Sequence, residues 1–322
     1  MASTPSGYLK DLVGSAYLGR DDLELLLDTA ARFAVKPLSE SRFIAGESVA
    51  IYMNKASTRT RLASETAVAH LGGTPIFVRG DELQIGRGET IADTARVISN
   101  FAKAFIIRTY AQNDVEEFAK WATIPVINAL TDDDHPTQLL ADWVTIREIF
   151  GKKTSGRKFT YMGDGNNMAN AWMLIGARLG AHVTIATPPG KWAPDSRVVT
   201  EAERIAANHG GTIEISHNPE EAARGASVLY TDVWMSMGDD ESVRTEKLRD
   251  LAPFAVSKKL MSLTEKDAIF MHCLPAHRGE EVEADVIDGP QSVVWRQAFH
   301  RRTSIQALLF HLINRDLRGT DN

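Results

Sequence analysis

The sequence predicts an α/β protein of two domains, each a parallel β-sheet flanked by helices, joined by interdomain helices. Three observations predict it. Short continuous apolar runs alternate with helical periodicity along most of the chain, the pattern of a sheet buried on both faces. The 322 residues suit two domains, at roughly 150 residues each. Polar clusters recur where the apolar runs end, the edge at which open α/β sheets hold ligands.

In chain order, residues 21–33 read as an amphipathic helix with Leu23, Leu26, Leu27 and Ala30 on its apolar stripe. Residues 49–53 form a buried strand. Ser57-Thr58-Arg59-Thr60-Arg61 follows it and opens a helix that stops at Gly72-Gly73. Residues 76–78 make a second strand, and 81–90 a polar loop with two glycines that carries Gln84. A helix over 91–101, a strand over 105–108, a helix over 114–121 and a strand over 126–130 complete the first alternation. A long helix over 136–150 carries the domain boundary. The pattern restarts with strands at 158–162, 182–186, 212–216, 228–230 and 268–272, and helices at 167–179 and 196–208. Val293-Val294-Trp295 is short and apolar, and a last helix spans 303–313. The expected domains are 1–145 and 146–300, with 301–322 as a terminal helix that either caps the second domain or returns to the first.

Hydrophobic residues make up 43% and charged residues 24%, which fits a soluble globular chain. A net charge of -6 argues against non-specific nucleic-acid binding, though a local arginine cluster can still hold an anion. The single cysteine, Cys273, excludes an intrachain disulfide framework and suits a reducing compartment. No apolar run approaches the ~20 residues needed to span a membrane. Residues 1–14 lack the basic start and apolar run of a signal peptide. A cytoplasmic protein is expected.

The plain reading of Ser57–Arg61 is a capped, solvated helix start. The functional reading is a phosphate site, where hydroxyls and helix amides cradle an anion and two arginines add charge-assisted bonds. Gly163-Asp164-Gly165 lacks the GxGxxG spacing of a dinucleotide turn, so no nucleotide cofactor is expected. His135 is either a core histidine at a turn or a donor to a substrate oxygen. Cys273 is either a small buried hydrophobe or a substrate contact. A Cys/His nucleophile is disfavoured, because His272 and Cys273 are adjacent and point to opposite faces of a strand. Asp232 and Ser236 are either loop caps or the holders of a cationic amine. No metal is expected, since no liganding set has suitable spacing.

Five segments then stand together: Ser57–Arg61, Asp134-His135-Pro136-Thr137-Gln138, Gly163-Asp164-Gly165-Asn166-Asn167, Asp232-Val233-Trp234-Met235-Ser236-Met237-Gly238, and the run from His272 through Cys273-Leu274-Pro275 to Glu281. In this order, over nearly the whole chain, they resemble the aspartate/ornithine carbamoyltransferase family. The Cys-Leu-Pro and Ser-Met-Gly segments resemble its ornithine-acting members. The resemblance implies a carbamoyl-phosphate domain followed by an amino-acid domain, with the terminal helix returning to the first. It implies citrulline and phosphate made from L-ornithine and carbamoyl phosphate, by a homotrimer or a multiple of trimers with shared sites. Ser57, Thr58, Arg59, Thr60, Arg108 and Arg301 would hold carbamoyl phosphate, with His135 and Gln138 at its carbonyl and amide ends. Gln84 would come from a neighbouring subunit. Asn167, Asp232, Ser236 and Met237 would grip ornithine, while Cys273 and Leu274, with a cis bond to Pro275, would shape the meeting point. Arg59, Thr60, Arg108, His135, Asp232, Cys273 and Arg301 are the catalytic candidates.

The chain departs from the family pattern at Asn54-Lys55-Ala56, at Leu62-Ala63-Ser64 and at Phe299-His300. These departures leave room for another amine, such as putrescine, or for altered assembly. A ligand-binding protein without catalysis is the alternative of a different class, and intact Arg59, Arg108, His135, Asp232 and Cys273 argue against it.

Overall fold

The structure, a computed structural model, describes residues 9–235 and 240–319. The chain forms two compact units. Unit 1 runs to Val144 and resumes at Phe299, and unit 2 is Thr145–Ala298.

Unit 1 contains α1 (Arg20–Val35), β1 (Ser48–Met53), α2 (Thr58–His70), β2 (Thr74–Arg79), α3 (Ile91–Ser99), β3 (Phe105–Arg108), α4 (Gln112–Trp121) and β4 (Val126–Leu130). Then α5 (Pro136–Phe150) begins in unit 1 and ends in unit 2. Unit 2 continues with β5 (Lys158–Met162), α6 (Asn167–Arg178), β6 (His182–Ala186), α7 (Ser196–His209), β7 (Thr212–Ser216), α8 (Pro219–Ala223) and β8 (Val228–Thr231). It ends with α9 (Arg244–Leu251), α10 (Lys258–Met261), β9 (Ile269–His272) and α11 (Ala284–Ile287), before α12 (Val294–Gly319) passes back into unit 1.

Both sheets are wholly parallel. Their strand orders are β2-β1-β3-β4 and β7-β6-β5-β8-β9. The apolar runs seen in the sequence are strands because helices cover the sheets, which leaves β3, β4, β8 and β9 buried along their whole length. In unit 1 the chain leaves β1 for β2 on one side and later returns to β3 on the other. In unit 2 it leaves β5 for β6 and returns to β8. Each sheet therefore has a topological switch point, β1/β3 and β5/β8, where a crevice opens beyond the strand ends.

The terminal helix differs from the expectation. It starts at Val294, not at 303, so the Gln297–Arg301 segment is helical. Its buried face explains why the periodicity hides this. Gln297, His300, Arg301, Thr303 and Ser304 are all buried, so polar residues occupy positions where a core stripe would be apolar. Among the described residues no helix is long and apolar enough to cross a membrane.

Candidate functional site

Ser57 is the N-cap of α2, and its Oγ accepts the Thr60 N–H at 3.3 Å. That bond holds the first turn in place, a cap worth ~1 kcal/mol. The positive end of the helix dipole lies at this turn. Thr60 is fully buried, and its hydroxyl oxygen accepts from Ser57 Oγ at 3.2 Å and from Arg301 Nη2 at 3.1 Å. Arg301 is on α12, and its Nη1 also donates to Gln138 Oε1. Gln138 Nε2 donates to Asp142 Oδ1 at 2.8 Å, one helical turn further along α5. Asp142 thus fixes which way the Gln138 amide faces, and Gln138 in turn aims the Arg301 guanidinium at the start of α2.

Arg108 ends β3 where the pairing with β4 slips: Ile107 pairs with Asn128, whereas Arg108 pairs with Leu130. Such an irregularity re-aims a side chain. The guanidinium Nε donates to the Lys55 carbonyl at 3.0 Å. Lys55 is itself buried, its Nζ 2.9 Å from Asp132 Oδ1. His135 is buried before α5. Burial, then the charges of Arg301, Arg108, Arg59 and Lys55, hold its imidazole well below the usual range. The ring is therefore neutral at pH 7 and offers one N–H and one lone pair. Four cations around one neutral histidine at a helix N-terminus are a setting that suits an anion. A cavity of about 500 Å³ opens beside it, lined by Met53, Asn54, Ser57, Thr58, Arg61 and Phe77 among others.

Only one arginine of the motif joins this cluster. Arg61 turns to the surface, where it meets Glu65 at 3.0 Å and lies 3.8 Å over the Phe77 ring. The expected second arginine is supplied instead by Arg108 and Arg301, both distant in sequence.

In unit 2 the loop after β5 carries Asn166, the N-cap of α6, whose Oδ1 accepts from Met168 N at 2.9 Å and Ala169 N at 3.2 Å. Its Nδ2 donates to Asp232 Oδ2 at 3.2 Å across the β5/β8 switch point. Asp232 Oδ1 accepts from the Cys273 thiol at 2.8 Å and from Val233 N at 2.7 Å. Asn167 opens α6 half-exposed. Leu274 has φ 60, a conformation strained for a branched residue, and its bond to Pro275 is cis as expected. Its N–H is held at 2.8 Å by His272 Nδ1. That nitrogen therefore carries no proton, and Nε2 donates to the fully buried Glu281 at 3.2 Å. His272 is a brace, and Cys273 turns to Asp232, although a His272 ring nitrogen, the Cys273 sulfur and an Asp232 oxygen all lie within 4.8 Å of one another.

Gly165 is a packing glycine. A Cβ there would fall 2.2 Å from Pro194 N, because Gly165 N donates to the Trp192 carbonyl at 2.6 Å. Asp164 pairs with Lys247 of α9 at 2.8 Å, both side chains buried, and burial pushes its carboxyl up to about 6.

The residues brought together in unit 1 are thus Ser57, Arg59, Thr60, Arg108, His135, Gln138 and Arg301, with Thr58 exposed on the first turn of α2. In unit 2 they are Asp232 and Cys273, with Asn166 bonded to the aspartate. Gln84 is exposed ahead of the 3₁₀ turn Ile85–Arg87, and Ser236 and Met237 lie outside the described residues. Sequence reasoning missed Lys55 and Asp142 as site residues. A lone cation just past a buried strand and a carboxylate four residues beyond Gln138 on one helix face were the available signals.

A cationic cluster in one unit and a carboxylate–thiol cluster in the other, each at a sheet's switch point, define a two-domain α/β protein with one place suited to an anion and another suited to a cation. The chain belongs to the aspartate/ornithine carbamoyltransferase family: the family's carbamoyl-P binding domain matches residues 10–148 and its Asp/Orn binding domain residues 155–312. An ornithine carbamoyltransferase of Anoxybacillus flavithermus is 46% identical over 306 residues, covering 94% of this chain and 96% of that one. The anabolic ornithine carbamoyltransferase of Pyrococcus furiosus is 47% identical over 291 residues, 90% of this chain and 91% of that one. The solved Pyrococcus furiosus ornithine carbamoyltransferase superposes with a TM-score of 0.90 at 45% identity, covering 94% of this chain and 97% of that chain.

Proposed function

We propose that this chain is a carbamoyltransferase that converts L-ornithine and carbamoyl phosphate to L-citrulline and phosphate. The observation that carries the reading is the cation cluster around neutral His135, set against the start of α2. The relatives' activity and the family's two domains support it.

The phosphate of the donor rests on the first turn of α2 with Ser57, Thr58, Arg59 and Thr60, and Arg108 neutralises its charge. Arg301, Thr60 and the His135 N–H face the carbamoyl oxygen. Gln138, held by Asp142, keeps Arg301 aimed there and offers its second amide hydrogen. The neutral δ-amine of ornithine attacks the carbonyl carbon. A C–N bond forms, negative charge gathers on the carbonyl oxygen, and the C–O bond to phosphate breaks. Donors already aimed at that oxygen supply the main rate term. The leaving phosphate takes the proton released by the amine, so no side chain must act as base. Asp232 holds the amine in line, with Cys273 and Leu274 shaping its path and Asn167, Ser236 and Met237 gripping the rest of the amino acid. Gln84, exposed on its loop, enters a neighbouring copy's donor site, which makes the working form a trimer or a multiple of trimers in the cytoplasm.

A phosphate-release assay run in parallel on ornithine, putrescine, lysine and acetylornithine tests the reading. Citrulline from ornithine is the expected product. Turnover of putrescine alone would reassign the acceptor, and calorimetric binding of carbamoyl phosphate with no turnover on any amine would make the chain a binding protein.

A further inference from the structure

His135 is held from a direction that the chemistry above does not use. The segment before α1 runs beside β4: Leu12 N donates to the Val126 carbonyl at 2.8 Å, and Asn128 N donates to the Leu12 carbonyl at 2.7 Å. It continues through Val13, whose carbonyl accepts from Asn128 Nδ2 at 2.8 Å and Gln112 Nε2 at 3.2 Å. It then reaches the residue next to His135. Ser15 Oγ donates to Asp134 Oδ1 at 2.7 Å, and Ser15 N donates to Asp134 Oδ2. The approach is close because residue 14 is glycine: a Cβ there would meet Asp134 Oδ2 at 3.0 Å. Thr131 clamps the other side, its N–H donating to the Asp134 carbonyl at 2.9 Å and its Oγ1 accepting the Asp134 N–H at 3.2 Å. Thr131 Oγ1 also donates to Gln112 Oε1 at 2.9 Å, which closes the network. Ser15 and Asp134 are both buried.

We infer that Asp134 is a positioning residue for the donor site, its carboxylate locking the His135 turn to the Ser15 segment so that the imidazole faces the carbamoyl group. A carboxylate suits this place because it accepts both the hydroxyl and the backbone N–H of Ser15 at once. An asparagine in its place would turn an NH2 group toward one of those donors.

The network is sensitive to acid. Burial pushes the Asp134 carboxyl up to about 6, against the lowering effect of the Ser15 bonds and of the His135 backbone N–H, and neighbouring Asp133 adds to the rise. Glu116, which Gln112 reaches at 3.5 Å, and Tyr17 lie by the same network, and Arg301, Arg108, Arg59 and Lys55 act on His135 next to it. His135 stays neutral across this range. As pH falls through about 6, Asp134 takes up a proton, one acceptor is lost and the lock loosens.

This inference rests on the carbamoyl-phosphate reading of unit 1, and the test separates the two. Carbamoyl phosphate binding is measured by calorimetry from pH 5.5 to 8, together with KM for each substrate, on the full chain and on Asp134→Asn, Ser15→Ala and Ser15→Thr. The expected result for Asp134→Asn is about 10-fold weaker carbamoyl phosphate binding at pH 8, with the ornithine KM unchanged and the loss of affinity near pH 6 abolished. Ser15→Ala is expected to weaken binding about 3-fold, and Ser15→Thr, which keeps the hydroxyl, to restore it. Wild-type affinity and acid response in Asp134→Asn would overturn the inference. So would a fall in melting temperature with equal losses for both substrates, which marks a merely structural role. If the wild-type chain binds no carbamoyl phosphate at all, the functional reading itself fails.

Discussion

The two sheets of this molecule use one topology for opposite electrostatics. In unit 1 the switch point between β1 and β3 gathers Arg59, Arg108, Arg301 and Lys55 around a neutral histidine. In unit 2 the switch point between β5 and β8 gathers Asp232, Asn166 and the Cys273 thiol. Parallel strands deliver their C-terminal ends, and the loops after them, to one edge in both cases. The backbone therefore decides where a ligand binds, and side chains on a few loops decide its charge. In unit 2 the buried cation Lys247 pairs with Asp164. The buried cations of unit 1 converge on one imidazole.

This contrast can be broken at its strongest point first. Asp164→Ala removes the carboxylate from buried Lys247 and should destabilise unit 2 by about 3–5 kcal/mol. Calorimetric melting should show the loss, while carbamoyl phosphate binding persists at low temperature. Replacing Asp164 by Leu and Lys247 by Met together should recover most of the stability. The same carboxyl sets a pH dependence. Its pKa rises from 3.8 to about 6 on folding, so the folded chain binds that proton more tightly. Its contribution to stability therefore declines as pH rises through this window and is level above it. Denaturant melts of Asp164→Asn should show a shallower slope there, the remainder belonging to Asp134, whose carboxyl also rises to about 6.

Arg108→Ala, or Arg59→Ala, should lower kcat by roughly 10²–10³-fold, because each removes a preorganised positive charge from the departing phosphate. Unchanged citrulline formation by either variant would sink the assignment of the donor site. At the small end, Arg61→Ala removes an exposed pair with Glu65 and a stacking contact on Phe77. Stability should change by about 1 kcal/mol or less, with kcat within about 2-fold of wild type. A large loss of turnover there would place Arg61 in the site with Arg59 and overturn the division between the two arginines.

Most of the fold was legible. Strands such as 105–108, 126–130, 158–162 and 182–186 are read to the residue because a strand buried on both faces is apolar over most of its length. The short helices α8, α9, α10 and α11 were not read. The eight residues of α9, Arg244–Leu251, are mostly charged, and only Lys247 and Leu251 are buried, too few to show a period. The start of α12 was misplaced for a different reason. Val294 packs into the core of unit 2, while Ile305, Leu308, Leu309 and Leu312 are buried in unit 1, and the turns between bury polar groups. A helix that serves two units has no single apolar stripe.

The sequence by itself determined the α/β alternation, the helix start at Ser57 and the residue types that would meet an anion and an amine, because periodicity, capping and motif order are local properties. Tertiary structure alone decided which of those groups meet. Arg301 reaches Thr60 and Gln138 across most of the chain, the slip between β3 and β4 turns Arg108 inward, Arg61 is left at the surface, and Ser15 closes on Asp134. These contacts depend on strand order and register, which no local pattern encodes.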